Sequence, residues 1–478
     1  MLTKLWIDGG QASALSGMTY DVLNPADGSV LAKVSEGGAA DVDAAVRAAV
    51  KAAAGPWSRM SARERGKILL KLAVLIRENL EALALLECRS AGKPLGDARD
   101  ELGLAADTFE YYGGAATKHL GETIPVAGAG LDFTLREPVG VCALIVPWNF
   151  PLVIAAWKLG PALACGNTVV LKPSAETPLT ALLLARLAAE AGLPEGVLNV
   201  VPGPGPGCGS ALAAHPLVRK ISFTGSTATG TVLMKAAADG IKRVSLELGG
   251  KSPNIVFEDA DFDLCVEKSA WSVFYNAGQD CCARSRILVQ RKLHDKFVDA
   301  FVARSEKFVV GHPEKKGTQI GPIISARQHD KIAAYIAAGK AEGAKLLCGG
   351  VRPKGLPPKG HYLTPAVFAG AKPDMKIVQE EIFGPVVAVI PFKDEAEAIA
   401  LANDSAYGLS ASLWTRDVGR VLRVTRAVQA GVISVNTSSS VHLEAPFGGY
   451  KGSGLGRELG LKALDLYSEV KNVFISNV

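Results

Sequence analysis

Residues 139–174 read VGVCALIVPWNFPLVIAAWKLGPALACGNTVVLKPS. The run "VCALIV" is short, unbroken and apolar, and it stops at Pro147. A helical pattern follows from Pro151 to about Cys165 and is punctuated by Gly166-Asn167; "TVVLK" is then a second apolar run. Strand, helix and strand in this order form one right-handed crossover unit, and the absence of in/out alternation says that both faces of the sheet are covered. The same grammar continues to residue 250. A helix from Pro178 to about Ala191 ends at Gly192, "GVLNVV" is a strand, and "PGPGPGCG" leads into a helix to about Ala214. "KISFT" is a strand, "GSTATG" turns into a helix to about Ala238, and "RVSLEL" closes the series. The reading is α/β, a doubly wound parallel sheet.

Outward from this core, residues 40–118 carry Ala/Leu periodicity with few breakers and read as helices. "ETIPVAGAG" and "LDFTLREPVG" are placed to form a hairpin. After residue 250 a second α/β series begins. Its expected strands are "RILVQ", "VVAVIPF", "SASLWT" and "VISVN", with helices over 292–308, 325–342 and 394–403. The tail "LDLYSEVKNVFIS" is an amphipathic apolar strand in search of a partner.

The chain has 478 residues, too many for one ordinary core, so two domains and a small third element are expected. With 52 Lys and Arg against 47 Asp and Glu the net charge is +5, and no basic run accompanies it, which argues against a nucleic-acid partner. No segment reaches the roughly 18 unbroken apolar residues of a membrane helix, and the first residues have no signal-peptide run. The eight cysteines form no zinc-like spacing, so no metal is expected, and they fit a reducing cytoplasm.

Four stretches carry chemistry. "NAGQDCCARS" (276–285) sets Cys281 and Cys282 side by side after a helix stop at Gly278. By spacing alone they read either as small buried hydrophobes or as a loop nucleophile, which acts as thiolate. Glu247 ends the strand of "SLELGGKSPN", where it is either a hydrogen-bonded structural carboxyl or a base with a raised pKa. Asn149 of "PWNFP" follows a parallel strand at the ligand-binding edge and serves either as a helix cap or as an oxyanion donor. Lys172 ends another strand, and Gly225, Ser226 and Gly230 form a small-residue turn into a helix, suited to phosphate. Together a nucleotide-type sheet, a loop cysteine, a strand-end glutamate and a strand-end asparagine suggest a covalent redox reaction.

With "PWNFP", "GNTVVLKPS", "FTGSTATG", "LELGGKSP", "GQDCCARSR", "EEIFGPV" and "PFGGYKGSGLGRELG" in hand, the whole chain resembles the aldehyde dehydrogenase superfamily. The resemblance implies a non-acylating, NAD(P)-dependent oxidation of an aldehyde to a carboxylic acid. Cys281 would be the nucleophile, with Cys282 a neighbour of no fixed role. Asn149 and the Cys281 N–H would hold the oxyanion, and Glu247 would activate the water that hydrolyses the thioester. Trp148 and Lys172 would flank the adenosine side, with Ser174 also on the cofactor. Gly225 and Ser226 would meet the pyrophosphate, and Glu381 and Phe383 the nicotinamide ribose and ring. Trp157 and Phe447 would line the substrate side.

One departure bears on the cofactor. NAD-preferring relatives often carry Glu three residues after the matching lysine, where this chain has Ala175, followed by Glu176. NAD is expected, with NADP left open. Asp280 resembles an aspartate of aminoaldehyde dehydrogenases. It reads either as an anchor for the amine of an ω-aminoaldehyde, helped by Asp107 and Glu110, or as a loop charge that is solvated or paired with Arg284 or Arg286. The resemblance divides the chain into a dinucleotide-binding domain (1–117 and 139–249), a catalytic domain (250–449) and an oligomerisation arm and tail (118–138 and 450–478), and implies a homodimer or homotetramer. Two rivals are a CoA-acylating semialdehyde dehydrogenase and a non-catalytic binding protein of the same fold.

Overall fold

The computed structural model describes residues 2–439 and 441–477. Its first sheet has eight strands. Five of them are parallel and lie in the spatial order Leu198–Val200, Thr168–Lys172, Val141–Ile145, Lys220–Thr224, Arg243–Glu247. From Val141–Ile145 the chain winds first to one side and then to the other, so a crevice opens at the carboxyl ends of Val141–Ile145 and Lys220–Thr224, where strand order reverses.

The apolar character of these strands follows from their burial on both faces. Along Val141–Ile145, Cys142 and Leu144 enter a core shared with the helices Ala62–Glu78, Leu95–Ala115, Pro151–Ala164 and Leu179–Ala191. Val141, Ala143 and Ile145 enter a second core, with the helices Ala39–Ala53, Ser210–Ala214 and Thr227–Ala238. Successive side chains point to opposite faces of a strand, and here each face has its own helical layer.

The second sheet has seven strands in the order Lys345–Cys348, Ala366–Ala369, Val386–Phe392, Arg286–Gln290, Pro253–Val256, Ser410–Trp414, Val432–Val435, all parallel except the first. The four strands expected from sequence are present. Lys345–Cys348, Pro253–Val256 and Ala366–Ala369 complete them, each only four residues long and hard to tell from loop by pattern. The helix Val418–Ala427 and the strands of residues 5–35 also escape the sequence reading, because those strands run only three to six residues and their burial is mixed.

A third, antiparallel sheet joins Thr123–Ile124, Gly130–Pro138 and the tail strand Ser468–Ser476. The tail thus finds a partner within its own chain, over nine residue pairs from Ser468↔Pro138 to Ser476↔Gly130. Residues 450–478 do not all go to this arm: Gly454–Leu455 pair with Glu247 and Leu246 at the edge of the first sheet. Among the described residues no helix is long and apolar enough to cross a membrane.

Candidate active site

The helix Phe262–Phe274 begins at Asp261, whose Oδ1 accepts from the Leu264 N–H at 3.3 Å. It is followed by three consecutive residues in the left-handed region, Asn276 (φ +48°), Ala277 (φ +57°) and Gly278 (φ +69°). Non-glycine residues reach that region at a cost and stay there only when their surroundings hold them. Here Asn276 Nδ2 donates to the backbone oxygens of Asn149 (3.1 Å) and Gln279 (3.3 Å), and Gln279 Oε1 accepts from Ile324 N–H at 3.0 Å. Position 278 must be glycine, since a Cβ there would stand 2.2 Å from the Gly384 carbonyl oxygen. The turn delivers Cys281 half-buried and Cys282 buried. Asp280 Oδ1 caps the Cys282 N–H at 2.8 Å. The Cys281 thiol is held well above the ordinary cysteine pKa, first by its hydrogen bond to Cys282 and then by burial, with Asp280 and Glu381 adding to it.

Glu247 closes its strand in register with Thr224 on one side and Gly454 on the other. It is 5% exposed, and its Oε2 has no hydrogen-bond partner. Burial, and after it the nearby Glu458 carboxylate, push its pKa well above the ordinary value. Glu458 is itself pinned by Lys158, which also reaches Ser222 Oγ at 3.1 Å. A buried carboxyl with a raised pKa and an unpartnered oxygen is a candidate for proton transfer.

Asn149 is not the helix cap. The N-cap of Pro151–Ala164 is Phe150, with no side-chain cap bond. Instead Asn149 Nδ2 donates to the Gln279 carbonyl at 3.0 Å, which ties the first sheet's crevice to the cysteine turn.

All three residues line one cavity of about 890 Å³ at the strand-order reversal, together with Trp148, Lys172, Ser174, Gly225, Ser226, Glu381 and Phe383. Lys172 is no exposed strand end: it is 6% exposed, and burial lowers its pKa. Ser226 caps the helix Thr227–Ala238 by accepting from Thr229 N–H at 3.3 Å, so the helix N-terminus opens into the cavity. Glu381 Oε1 accepts from Gly250 N–H at 3.0 Å. Trp148, expected with Lys172 on the adenosine side, lines the same cavity and sets its ring edge-on to Phe383, 5.3 Å between centroids. Phe383 is itself left-handed (φ +59°), and Gln328 Nε2 holds its carbonyl at 2.8 Å.

On the far side of the cysteine turn, Trp157 and Phe447 meet at 5.2 Å and pack with Val153, Cys282, Leu409 and Leu459; Leu104, Phe150 and Cys281 border this apolar cluster. Asp280 is half-buried. Its Oδ1 accepts from Cys282 N–H, and Arg284 is among the groups that face it. Arg286 is spent on the carbonyls of Lys251, Leu401, Ala402 and Asp404. Asp107 and Glu110, both more than half exposed, pair with Arg77. The donor atoms of Asp280, Cys281 and Cys282 lie within 4.8 Å of one another, and this is the one such triad among the described residues.

Three contributors escape the sequence reading. Glu176 lines the cavity and accepts from Ser174 Oγ. Gln328 clamps the Phe383 loop. Lys93 donates to the Asn149 carbonyl at 2.8 Å. Glu176 was visible in "KPSAETP" as the carboxylate next to Ala175; the other two act across 54 to 56 positions of chain, with no local pattern to mark them.

A family model described as "Aldehyde dehydrogenase family" matches residues 12–473. The chain is 47% identical over 477 residues to retinal dehydrogenase 2 of Homo sapiens, covering 99% of this chain and 92% of that one. It superposes with a TM-score of 0.98 on the NAD+ complex of an aldehyde dehydrogenase from Bacillus cereus, at 45% identity and covering 100% and 97% of the two chains. With the betaine aldehyde dehydrogenase of Staphylococcus aureus in complex with NAD+ the TM-score is also 0.98, at 40% identity and covering 100% and 95%.

Proposed function

The chain belongs to the aldehyde dehydrogenase family, an NAD-dependent oxidoreductase acting on small-molecule aldehydes, and from that premise we propose that it converts an aldehyde to the carboxylic acid through a thioester on Cys281. The observation that carries this reading is the convergence of Cys281, Glu247 and Asn149 on one cavity whose other walls suit a dinucleotide. The fit to the cofactor rests on the buried Lys172 ammonium, the capped helix N-terminus at Ser226, the Glu381 carboxylate and the unpartnered buried Thr224 Oγ1, all on that cavity. When bound, NAD supplies the acceptor for the hydride that leaves the substrate carbon.

The rest is the work of this chain. The Cys281 sulfur attacks the aldehyde carbon; a C–S bond forms, and the thiol proton passes to solvent water. The carbonyl oxygen takes up negative charge, which the Asn149 amide and the Cys281 backbone N–H stabilise. Once the carbon is at the thioester level, Glu247 takes a proton from water, hydroxide adds to the carbon, the C–S bond breaks and the sulfur is reprotonated. The open Oε2 of Glu247 favours this hydrolytic route over transfer to CoA.

We read the first sheet as the cofactor unit, the second as the unit presenting the nucleophile, and the three-stranded arm as the surface of a homodimer or homotetramer. Leu131, Leu135, Val470, Phe474 and Ile475 of the arm are exposed, and such a surface calls for a partner. For substrate, the buried apolar cluster of Trp157, Phe447, Val153 and Leu459 that packs against Cys281 favours an apolar aldehyde, in keeping with the substrate named for the human relative. The ω-aminoaldehyde reading is the second, since one oxygen of Asp280, Oδ1, is already bonded within its own turn. The deciding experiment is NAD reduction against hexanal, benzaldehyde, 4-aminobutanal, betaine aldehyde and succinic semialdehyde, with wild type and Cys281→Ala. Turnover of the apolar aldehydes that vanishes in Cys281→Ala is expected. Preference for the amino or ammonium substrates would restore the Asp280 reading, and turnover surviving in Cys281→Ala would overturn the mechanism.

A further inference from the structure

Lys93 is fully buried, and no element of the proposed chemistry uses it. It lies between the helices Leu80–Ala91 and Leu95–Ala115, and its ammonium has two partners: the Glu101 carboxylate, and the backbone oxygen of Asn149 at 2.8 Å. Tyr275 OH donates to the second Glu101 oxygen at 2.8 Å. Tyr275 immediately precedes Asn276, and Asn276 Nδ2 donates to the same Asn149 oxygen at 3.1 Å. A closed circuit results: Lys93 holds Asn149, Glu101 holds Lys93 and Tyr275, and the Tyr275–Gln279 turn holds Asn149 through Asn276 Nδ2 and the Gln279 carbonyl. The Lys93 ammonium also sits 4.6 Å from the centre of the Phe150 ring, which closes the circuit from below.

A buried ion pair is a weak source of stability, because desolvation consumes most of its attraction. What it supplies is a fixed geometry between the groups it joins. Here those groups are the two turns on which the reaction depends. The Asn149 turn belongs to the first sheet. The Cys281 turn follows a helix of the second and is held in three successive left-handed residues. The Asn149 amide can face the oxygen of a carbon attacked by Cys281 only while both turns keep their separation. Misplacement by about 1 Å is enough to cost such a site on the order of 100-fold in rate.

We propose that Lys93, with Glu101 as its counter-ion, is a positioning residue for aldehyde oxidation that clamps the Asn149 turn to the Cys281 turn and so sets the oxyanion geometry. This rests on the reading of Asn149 and Cys281 given above. The test is steady-state kinetics and NAD binding in Lys93→Met, in Lys93→Met/Glu101→Gln, in Asn149→Ala and in Lys93→Met/Asn149→Ala. The Glu101→Gln change avoids leaving a bare carboxylate in the core if Lys93→Met alone does not fold.

The expected result is a loss in kcat of about 100-fold, with NAD affinity and aldehyde KM within about threefold of wild type. Combined with Asn149→Ala, the Lys93 change should add almost nothing, because residues that act as a unit are non-additive. Wild-type kcat in the folded Lys93→Met/Glu101→Gln protein overturns the proposal. So does a Lys93 effect that is as large with Asn149→Ala as without it, which would make Lys93 merely structural and leave the oxyanion role of Asn149 standing. Wild-type turnover in Asn149→Ala by itself overturns the oxyanion reading, and the positioning proposal with it.

Discussion

The carbonyl oxygen of Cys281 lies against the backbone of Gly250, so close that a Cβ at position 250 would stand 2.3 Å from it. This contact is where the turn carrying the nucleophile meets the chain that leaves Glu247, and the Gly250 N–H simultaneously donates to Glu381. Replacing Gly250 with Ala must therefore move the Cys281 turn, the Glu381 carboxylate or both. The expected outcome is a folded protein with turnover reduced by about 100-fold or more. Circular dichroism and NAD reduction on the same preparation check it; a fully active Gly250→Ala protein would mean that the turn yields without consequence.

Glu247 carries its carboxyl proton to a pH well above the ordinary carboxylate range because it is buried and faces Glu458. Only the ionised form accepts a proton from water. Thioester hydrolysis should therefore rise with pH through the raised pKa of Glu247 and be slow in mild acid, where an exposed glutamate would already be ionised. In Glu247→Gln the limb should disappear and the acyl-enzyme should accumulate: one equivalent of NADH in a burst, little turnover, and an acyl mass on Cys281 by intact-protein mass spectrometry.

Glu176 stands on the cavity wall beside Lys172 and is fixed by the Ser174 hydroxyl. A carboxylate in that place repels a 2′-phosphate, although it sits one position later in sequence than in NAD-preferring relatives. Glu176→Gln should raise NADP use relative to NAD by about tenfold, equivalent to about 1.4 kcal/mol. The ratio of kcat/KM for the two cofactors measures it, and an unchanged ratio would return the question to Ala175.

Glu87 is fully buried, and desolvation pushes its pKa to about 7 against Lys93, which pulls it down. Its folded-state pKa lies above its unfolded value of 4.5, so the folded chain binds this proton more tightly than the unfolded one. The stability tied to that proton is complete below pH 4.5 and is lost as pH rises through about 7. A shift from 4.5 to about 7 corresponds to roughly 3 kcal/mol. The wild-type Tm should fall between pH 5 and pH 8, and Glu87→Gln, which needs no proton, should flatten that fall; parallel Tm curves would show that Glu87 ionises without cost.

Most of the first sheet was legible because its strands are covered on both faces. Full coverage turns a strand into an unbroken apolar run, as in "VCALIV" and "TVVLK", and the turns after such runs are where Asn149, Lys172, Ser226 and Glu247 stand. Asp107 and Glu110 show the opposite case. The resemblance offers them as helpers of Asp280, but Arg77, which pairs with both, is 30 and 33 residues away on another helix. For Trp148 the resemblance gives a place on the cofactor cavity, and only packing sets its ring against Phe383.

By itself the sequence determined the α/β class, the family, and the residue types that can carry the chemistry, because these are written in local periodicity and in short motifs at strand ends. Only the tertiary structure decided that Glu247 keeps an unpartnered, desolvated oxygen, that Cys282 and burial raise the pKa of the Cys281 thiol, that the tail strand is paired by Gly130–Pro138, and that Lys93 joins the Asn149 and Cys281 turns. Each of these depends on burial or on a partner far along the chain. A pKa is set by the dielectric and charges around a group, and a hydrogen bond by which acceptor lies within reach; neither exists until distant segments are brought together.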